Sequence, residues 1–149
     1  MKLGPRSKDG VGSESVKQSG THGGQRMATG KALGEFSFKA ITATYSPGPA
    51  GSVLSQVNWE GTVTGFGVVF GTATYVGGPK NGTFSMCSAA YMDDGDGLSA
   101  IGQGTYENVG KHRWRTEGFT QISSGQRVRG EGEMDLASRS WKGTIFEMS

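Results

Sequence analysis

From Gly34 onward, apolar and polar side chains alternate with period two, and no segment sustains a helical period. Eight such runs are predicted as strands, over residues 35–45, 53–64, 66–76, 83–92, 98–108, 112–122, 127–136 and 140–148. The segments between them are short and rich in turn-forming residues. Ser46-Pro47-Gly48-Pro49-Ala50-Gly51, Gly77-Gly78-Pro79-Lys80-Asn81-Gly82 and Asp93-Asp94-Gly95-Asp96-Gly97 are examples, and their chemistry is that of hairpin connections. Consecutive hairpins with no helix to cover a face leave two sheet edges open, and closure removes both. The predicted fold is therefore all-β, an eight-stranded antiparallel up-and-down barrel over residues 34–149.

Glycine supplies 27 of the 149 residues without a Gly-X-Y repeat, which excludes collagen. Gly102 and Gly104, Gly130 and Gly132, and the trio Gly65, Gly67 and Gly71 recur at even spacing in and beside the strands, where glycine is normally unfavourable. Small residues relieve crowding where strands bend, so this spacing favours a coiled, closed sheet over a flat sandwich.

Charge sets the inward face of the sixth and seventh runs. Arg113, Arg115 and Glu117 alternate with Trp114, Thr116 and Gly118, and Arg127, Arg129, Glu131, Glu133 and Asp135 alternate with Val128, Gly130, Gly132 and Met134. The charged rows belong in water. A three-residue loop at Ser123-Ser124-Gly125, with Gly125 left-handed, puts Arg113 opposite Asp135 and Arg115 opposite Glu133, whereas a two-residue loop would send charges inward. The predicted interior then receives Tyr106, His112, Trp114, Met134 and Leu136. In the third and fourth runs both faces are fairly apolar: Val68 and Phe70 against Val69, Ala73 and Tyr75, and Phe84 and Met86 against Cys87, Ala89 and Tyr91. An outer face of that kind predicts packing against a second subunit, a homo-oligomer, the alternative being a tail or loop lying over it.

The first 26 residues contain almost no large apolar side chains and carry Lys2, Arg6, Lys8, Lys17 and Arg26 against Asp9 and Glu14. Residues 1–33 are predicted as a disordered basic tail. The tail holds the whole basic excess of a chain whose net charge is only +2, so neither nucleic acid nor an anionic membrane is an expected partner. An apolar leader and a long apolar span are both missing from the sequence, and a single cysteine cannot form an intramolecular disulfide; the expected location is cytoplasmic.

Glu60-Gly61-Thr62-Val63-Thr64-Gly65-Phe66-Gly67 leading to Gly71-Thr72-Ala73, followed by Gly102-Gln103-Gly104-Thr105-Tyr106-Glu107 and Gly130-Glu131-Gly132, resembles the allene oxide cyclase-like barrels. That group includes plant cyclases, dirigent proteins and small bacterial barrel proteins. The resemblance spans residues 34–148 and rests on glycine and strand spacing. It implies a barrel whose mouth or interior binds a hydrophobic small molecule, with cyclisation guided by shape in some members. No catalytic residue of the plant enzymes has a matching local motif here.

Other chemical signals are few. Gly77-Gly78-Pro79-Lys80-Asn81-Gly82-Thr83 lacks the spacing and the following helix of a phosphate-binding loop. The aspartates of residues 93–97 lack the bidentate glutamate of a calcium loop and read as a turn. Neither metal nor cofactor is expected. Cys87, between Met86 and Ser88, is expected to be a small buried side chain rather than a nucleophile. Glu60 and Glu117 would become acid–base candidates only if they faced inward. His112 is the one histidine outside the tail, and with Tyr106 it forms the candidate pair for proton transfer. The sequence thus predicts a barrel that binds a small, largely hydrophobic molecule among Tyr106, His112, Trp114 and Met134. A cyclase- or isomerase-type enzyme using His112 or Tyr106, and a structural or partner-binding barrel with a filled core, are the alternatives.

Overall fold

The computed structural model describes residues 30–148; residues 1–29 of the predicted tail lie outside the described residues. Eight strands follow in order: β1 (Ala32–Pro47), β2 (Val53–Val63), β3 (Gly67–Gly77), β4 (Asn81–Tyr91), β5 (Gly97–Gly110), β6 (Arg113–Ile122), β7 (Arg127–Asp135) and β8 (Ser140–Glu147). Each is antiparallel to the next, and β1 pairs with β8 to close the barrel. β1 begins two residues inside the segment assigned to the tail, because Ala32 pairs with Phe146 and the Lys31 carbonyl accepts the Glu147 N–H at 3.0 Å.

Local chemistry sets the hairpins. Gly125 has φ +98°, and Ile122 N donates to Gln126 O across a three-residue loop. Arg113 consequently sits opposite Asp135, and Arg115 opposite Glu133. The charged rows face outward, where Arg113 meets Glu133 at 3.4 Å, Arg115 meets Glu107 at 3.1 Å, and Arg129 binds both Glu117 and Glu131. The exposed pairs of Arg113 and Arg115 contribute at most about 1 kcal/mol each, so they fix orientation more than stability. Apolar inside and charged outside over these strands is the reverse of a barrel that faces lipid. Among the described residues no helix is long and apolar enough to cross a membrane.

The interior is built of rings. Trp141 on β8 is 4% exposed and lies within 5.3–6.4 Å, centroid to centroid, of Phe36, Phe38, Trp59, Tyr75 and Phe84. Its indole N–H donates to the buried Thr116 hydroxyl at 2.9 Å. Gly104 and Gly132 make room for this layer. Gly104, Gly118 and Gly130 stand side by side on β5, β6 and β7, and Gly132 faces Gly143. A methyl group on Gly104 would come within 2.8 Å of the Phe84 ring, and one on Gly132 within 2.7 Å of the Phe36 ring. Gly65 and Gly67 act instead through the backbone, since both have φ +83° and shape the turn between β2 and β3.

The inward side of β3 carries Val69, Ala73 and Tyr75, and that of β4 carries Phe84 and Met86. Cys87 is consequently exposed on the outer face, a correction to its expected burial: once Phe84 and Met86 point inward, the next residue points out. Leu136 lines a wide cavity at the open end of the barrel and is not part of the packed core. It lies just beyond β7 in the turn and is 55% exposed. The segment between β4 and β5 is a turn, with Gly95 at φ +96° and Asp94 Oδ1 accepting the Asp96 N–H at 2.9 Å.

Candidate functional site

The aromatic layer leaves a cavity at each end of the barrel. The one beside the β2–β3 and β4–β5 turns is about 150 Å³ and is bounded by Phe36, Phe38, Phe84 and Trp141. The other, at the end where β1 runs into β2 and β7 into β8, is about 660 Å³. Trp59 and Tyr75 are at its inner end, packed against Trp141. β1 widens this mouth through a bulge: Ala40 pairs with Trp59 and Thr42 with Asn58, so Ile41 is an extra residue, and it joins the wall.

Three of the four residues expected in a ligand site line this wide cavity together: Tyr106, Trp114 and Met134. Tyr106 Oη donates to Gly78 O at 2.9 Å, and Trp114 Nε1 donates to Pro79 O at 2.7 Å. The two rings thereby pin the connection between β3 and β4 across the wall. His112 is not among the lining residues. It was expected at the start of the sixth strand, but that strand begins at Arg113, and the pairing slips between Asn108 and Gly110. His112 occupies the turn with φ +54°, exposed to solvent, and its carbonyl accepts the Leu136 N–H. A left-handed turn residue does not follow the strand's inward alternation. Glu60 and Glu117 are exposed, which removes the condition under which they were acid–base candidates.

Burial raises the pKa of the Tyr75 hydroxyl well above the ordinary tyrosine value; the hydrogen bond from Trp59 opposes that rise and the neighbouring Tyr106 adds to it. Desolvation raises Tyr106 as well. Both phenols therefore stay protonated near neutral pH and serve as hydrogen-bonding groups, not as bases. The remaining ionisable groups on the wall are Tyr45, Asp135 and Arg139. Asp135 Oδ1 accepts the Ala137 N–H at 3.0 Å, and Arg139 is held at φ +53° in the turn.

Sequence reasoning missed Trp59 and Tyr75. The signal for Tyr75 is register: a hairpin closed at Gly77 and Gly82 places Tyr75 opposite Phe84, on the face that carries Phe84 inward. Nothing in the sequence marks the bulge at Ile41. Comparison of the chain with known protein families, curated proteins and solved structures finds no match.

Proposed function

We propose that this protein binds a small, largely hydrophobic molecule in the wide cavity. The observation that carries the reading is the cavity itself: about 660 Å³ walled by Ala40, Val57, Trp59, Tyr75, Trp114 and Met134. Small-molecule sites generally have this size and this mix of apolar surface with a few polar groups. The resemblance to allene oxide cyclase-like barrels is part of the same proposal, supported by the closed eight-stranded architecture. The cyclase or isomerase alternative has less behind it, because His112 is outside the cavity and the Tyr106 hydroxyl is committed to Gly78. A filled structural barrel does not leave a space of this size. A cytoplasmic location belongs to the proposal too, supported by the exposed thiol of Cys87, which suits a reducing compartment.

Titration with the neutral fluorophore N-phenyl-1-naphthylamine tests the reading. Saturable binding is expected at one site per chain, weakened about tenfold or more by Val57→Trp, which fills the cavity. Equal binding by the Val57→Trp chain and the parent would place the ligand elsewhere and overturn the proposal.

The homo-oligomer is also proposed, and the outer surface supports it. The outward residues of β3 and β4, and those of β5 as far as Thr105, include no charged side chain, while those of β6 and β7 are mostly charged. On that uncharged arc and its β6 border, Val68, Phe70, Tyr91, Ile101 and Phe119 are 43–67% exposed. Phe70 and Tyr91 already pack against each other at 6.2 Å. Three strands of about eleven residues span about 500 Å², and Phe119 extends the face toward the about 800 Å² per partner of a stable interface. A closed barrel has no free edge to pair, so association has to be face to face. The occupant that fits is a second copy of the same face, since residues 1–26 contain no aromatic side chain to cover it. Sedimentation at about 100 µM should show a dimer. Ile101→Lys should dissociate it, and Ser37→Lys on β1 should not. A monomeric parent chain, or a dimer that survives both Ile101→Lys and Phe119→Lys, would refute this interface.

A further inference from the structure

We propose that the ligand of the wide cavity carries a neutral hydrogen-bond acceptor, a ketone, aldehyde or ester carbonyl, at the end that reaches the barrel's centre, and that Tyr75 Oη donates to it. This rests on the wide cavity being the binding site. The observation is an unused donor. Trp59 Nε1 donates to Tyr75 Oη at 3.1 Å, Trp141 Nε1 to Thr116 Oγ1 at 2.9 Å, Trp114 Nε1 to Pro79 O at 2.7 Å, and Tyr106 Oη to Gly78 O at 2.9 Å. The aromatic donors of the interior are thus matched to protein acceptors, except one. Tyr75 Oη receives the indole proton of Trp59, but among the described residues nothing accepts its own proton.

Tyr75 is 7% exposed and lines the inner end of the wide cavity, where a polar donor without an acceptor is disfavoured and rarely retained. The incoming Trp59 hydrogen bond polarises the phenol, which makes it a better donor. Burial also keeps the hydroxyl protonated. The same surroundings select the acceptor. Around Tyr75 the neighbours are Trp59, Phe84, Tyr106 and Trp141, with no cation among them, so a carboxylate carried to this depth would be desolvated against a single neutral donor. A neutral carbonyl on an apolar body meets one donor with one acceptor and leaves no charge buried. The arrangement therefore discriminates by polarity at one end of the ligand and by shape along the rest.

The test uses two probes of nearly the same shape, 1-acetylnaphthalene and 1-ethylnaphthalene, which differ by a carbonyl in place of a methylene. The parent chain should bind the ketone about tenfold more tightly than the hydrocarbon. Tyr75→Phe should abolish that preference, bringing the affinities for ketone and hydrocarbon to within about twofold of each other. The carbonyl stretch of the bound ketone, measured on the parent chain alone, should lie below its frequency in alkane solvent, a readout that does not depend on the variant folding. An unshifted stretch, or a preference that persists in Tyr75→Phe, would overturn the assignment. If neither probe binds, the binding cavity itself falls, and this inference falls with it.

Discussion

A Trp141→Ala chain should lose about 3–5 kcal/mol of folding stability, the cost of truncating a large buried ring in a packed interior. Trp141 touches Phe36, Phe38, Trp59, Tyr75 and Phe84, so no single neighbour can relax into the space it leaves. Thr116, 3% exposed, would also lose the indole N–H that it accepts. Against a typical total of about 5–15 kcal/mol, the loss takes a large share of what holds a domain of this size together. Urea unfolding should show it as a lower midpoint with little change in slope. Trp141→Phe separates the two contributions: the rings still pack, the hydrogen bond is lost, and the expected cost falls to about 1–3 kcal/mol. A loss below about 1 kcal/mol for Trp141→Ala would mean that the aromatic layer is not what holds the barrel's centre.

The strands, their hairpin connections and the closure of the sheet were legible because they depend on local chemistry, period-two alternation and the turn residues between runs. The register of β6 on β7 was legible for the same reason, since charged rows and a left-handed Gly125 exclude the alternative. The inward face of β3 and β4 was not. Val68 and Phe70 are as apolar as Val69 and Tyr75, so alternation alone does not orient the strand, and Cys87 was placed on the wrong side with it. His112 shows how a single residue of register decides a site. A strand beginning one position earlier would turn the imidazole inward; the slip at Asn108/Gly110 and a φ of +54° leave it in solvent. Tyr106, Trp114 and Met134 could be placed on one face of their strands, but not the loop carbonyls of Gly78 and Pro79 that hold two of them. The cavity has no sequence signature, because its volume depends on where Trp59, Trp141 and the bulge at Ile41 leave space.

Gly118→Val should prevent the barrel from forming, and Gly118→Ala should destabilise it by about 1–3 kcal/mol, the usual range for overpacking a filled interior. Gly130→Ala, one strand away in the same row, should change stability by less than about 1 kcal/mol, in either direction. Both positions lie within strands and pair with each other, so a difference in local strand preference cannot separate them. What differs is the space a side chain would enter. A Cβ on Gly118 would overlap the carbonyl oxygen of Gln103 and approach the Gly104 Cα to 2.9 Å, whereas a Cβ on Gly130 meets nothing within 4 Å. Backbone atoms of a paired strand cannot move aside as a flexible side chain can, so at Gly118 the sheet itself would have to open, and with it the seat of the Phe84 ring on Gly104. Urea midpoints for the two alanine variants decide the matter. A gap of at least about 1 kcal/mol means that the glycine row sets how tightly β5 and β6 coil around the aromatic layer. Equal midpoints would mean that these glycines merely permit coiling, and that the barrel can carry side chains along this row without closing on its core.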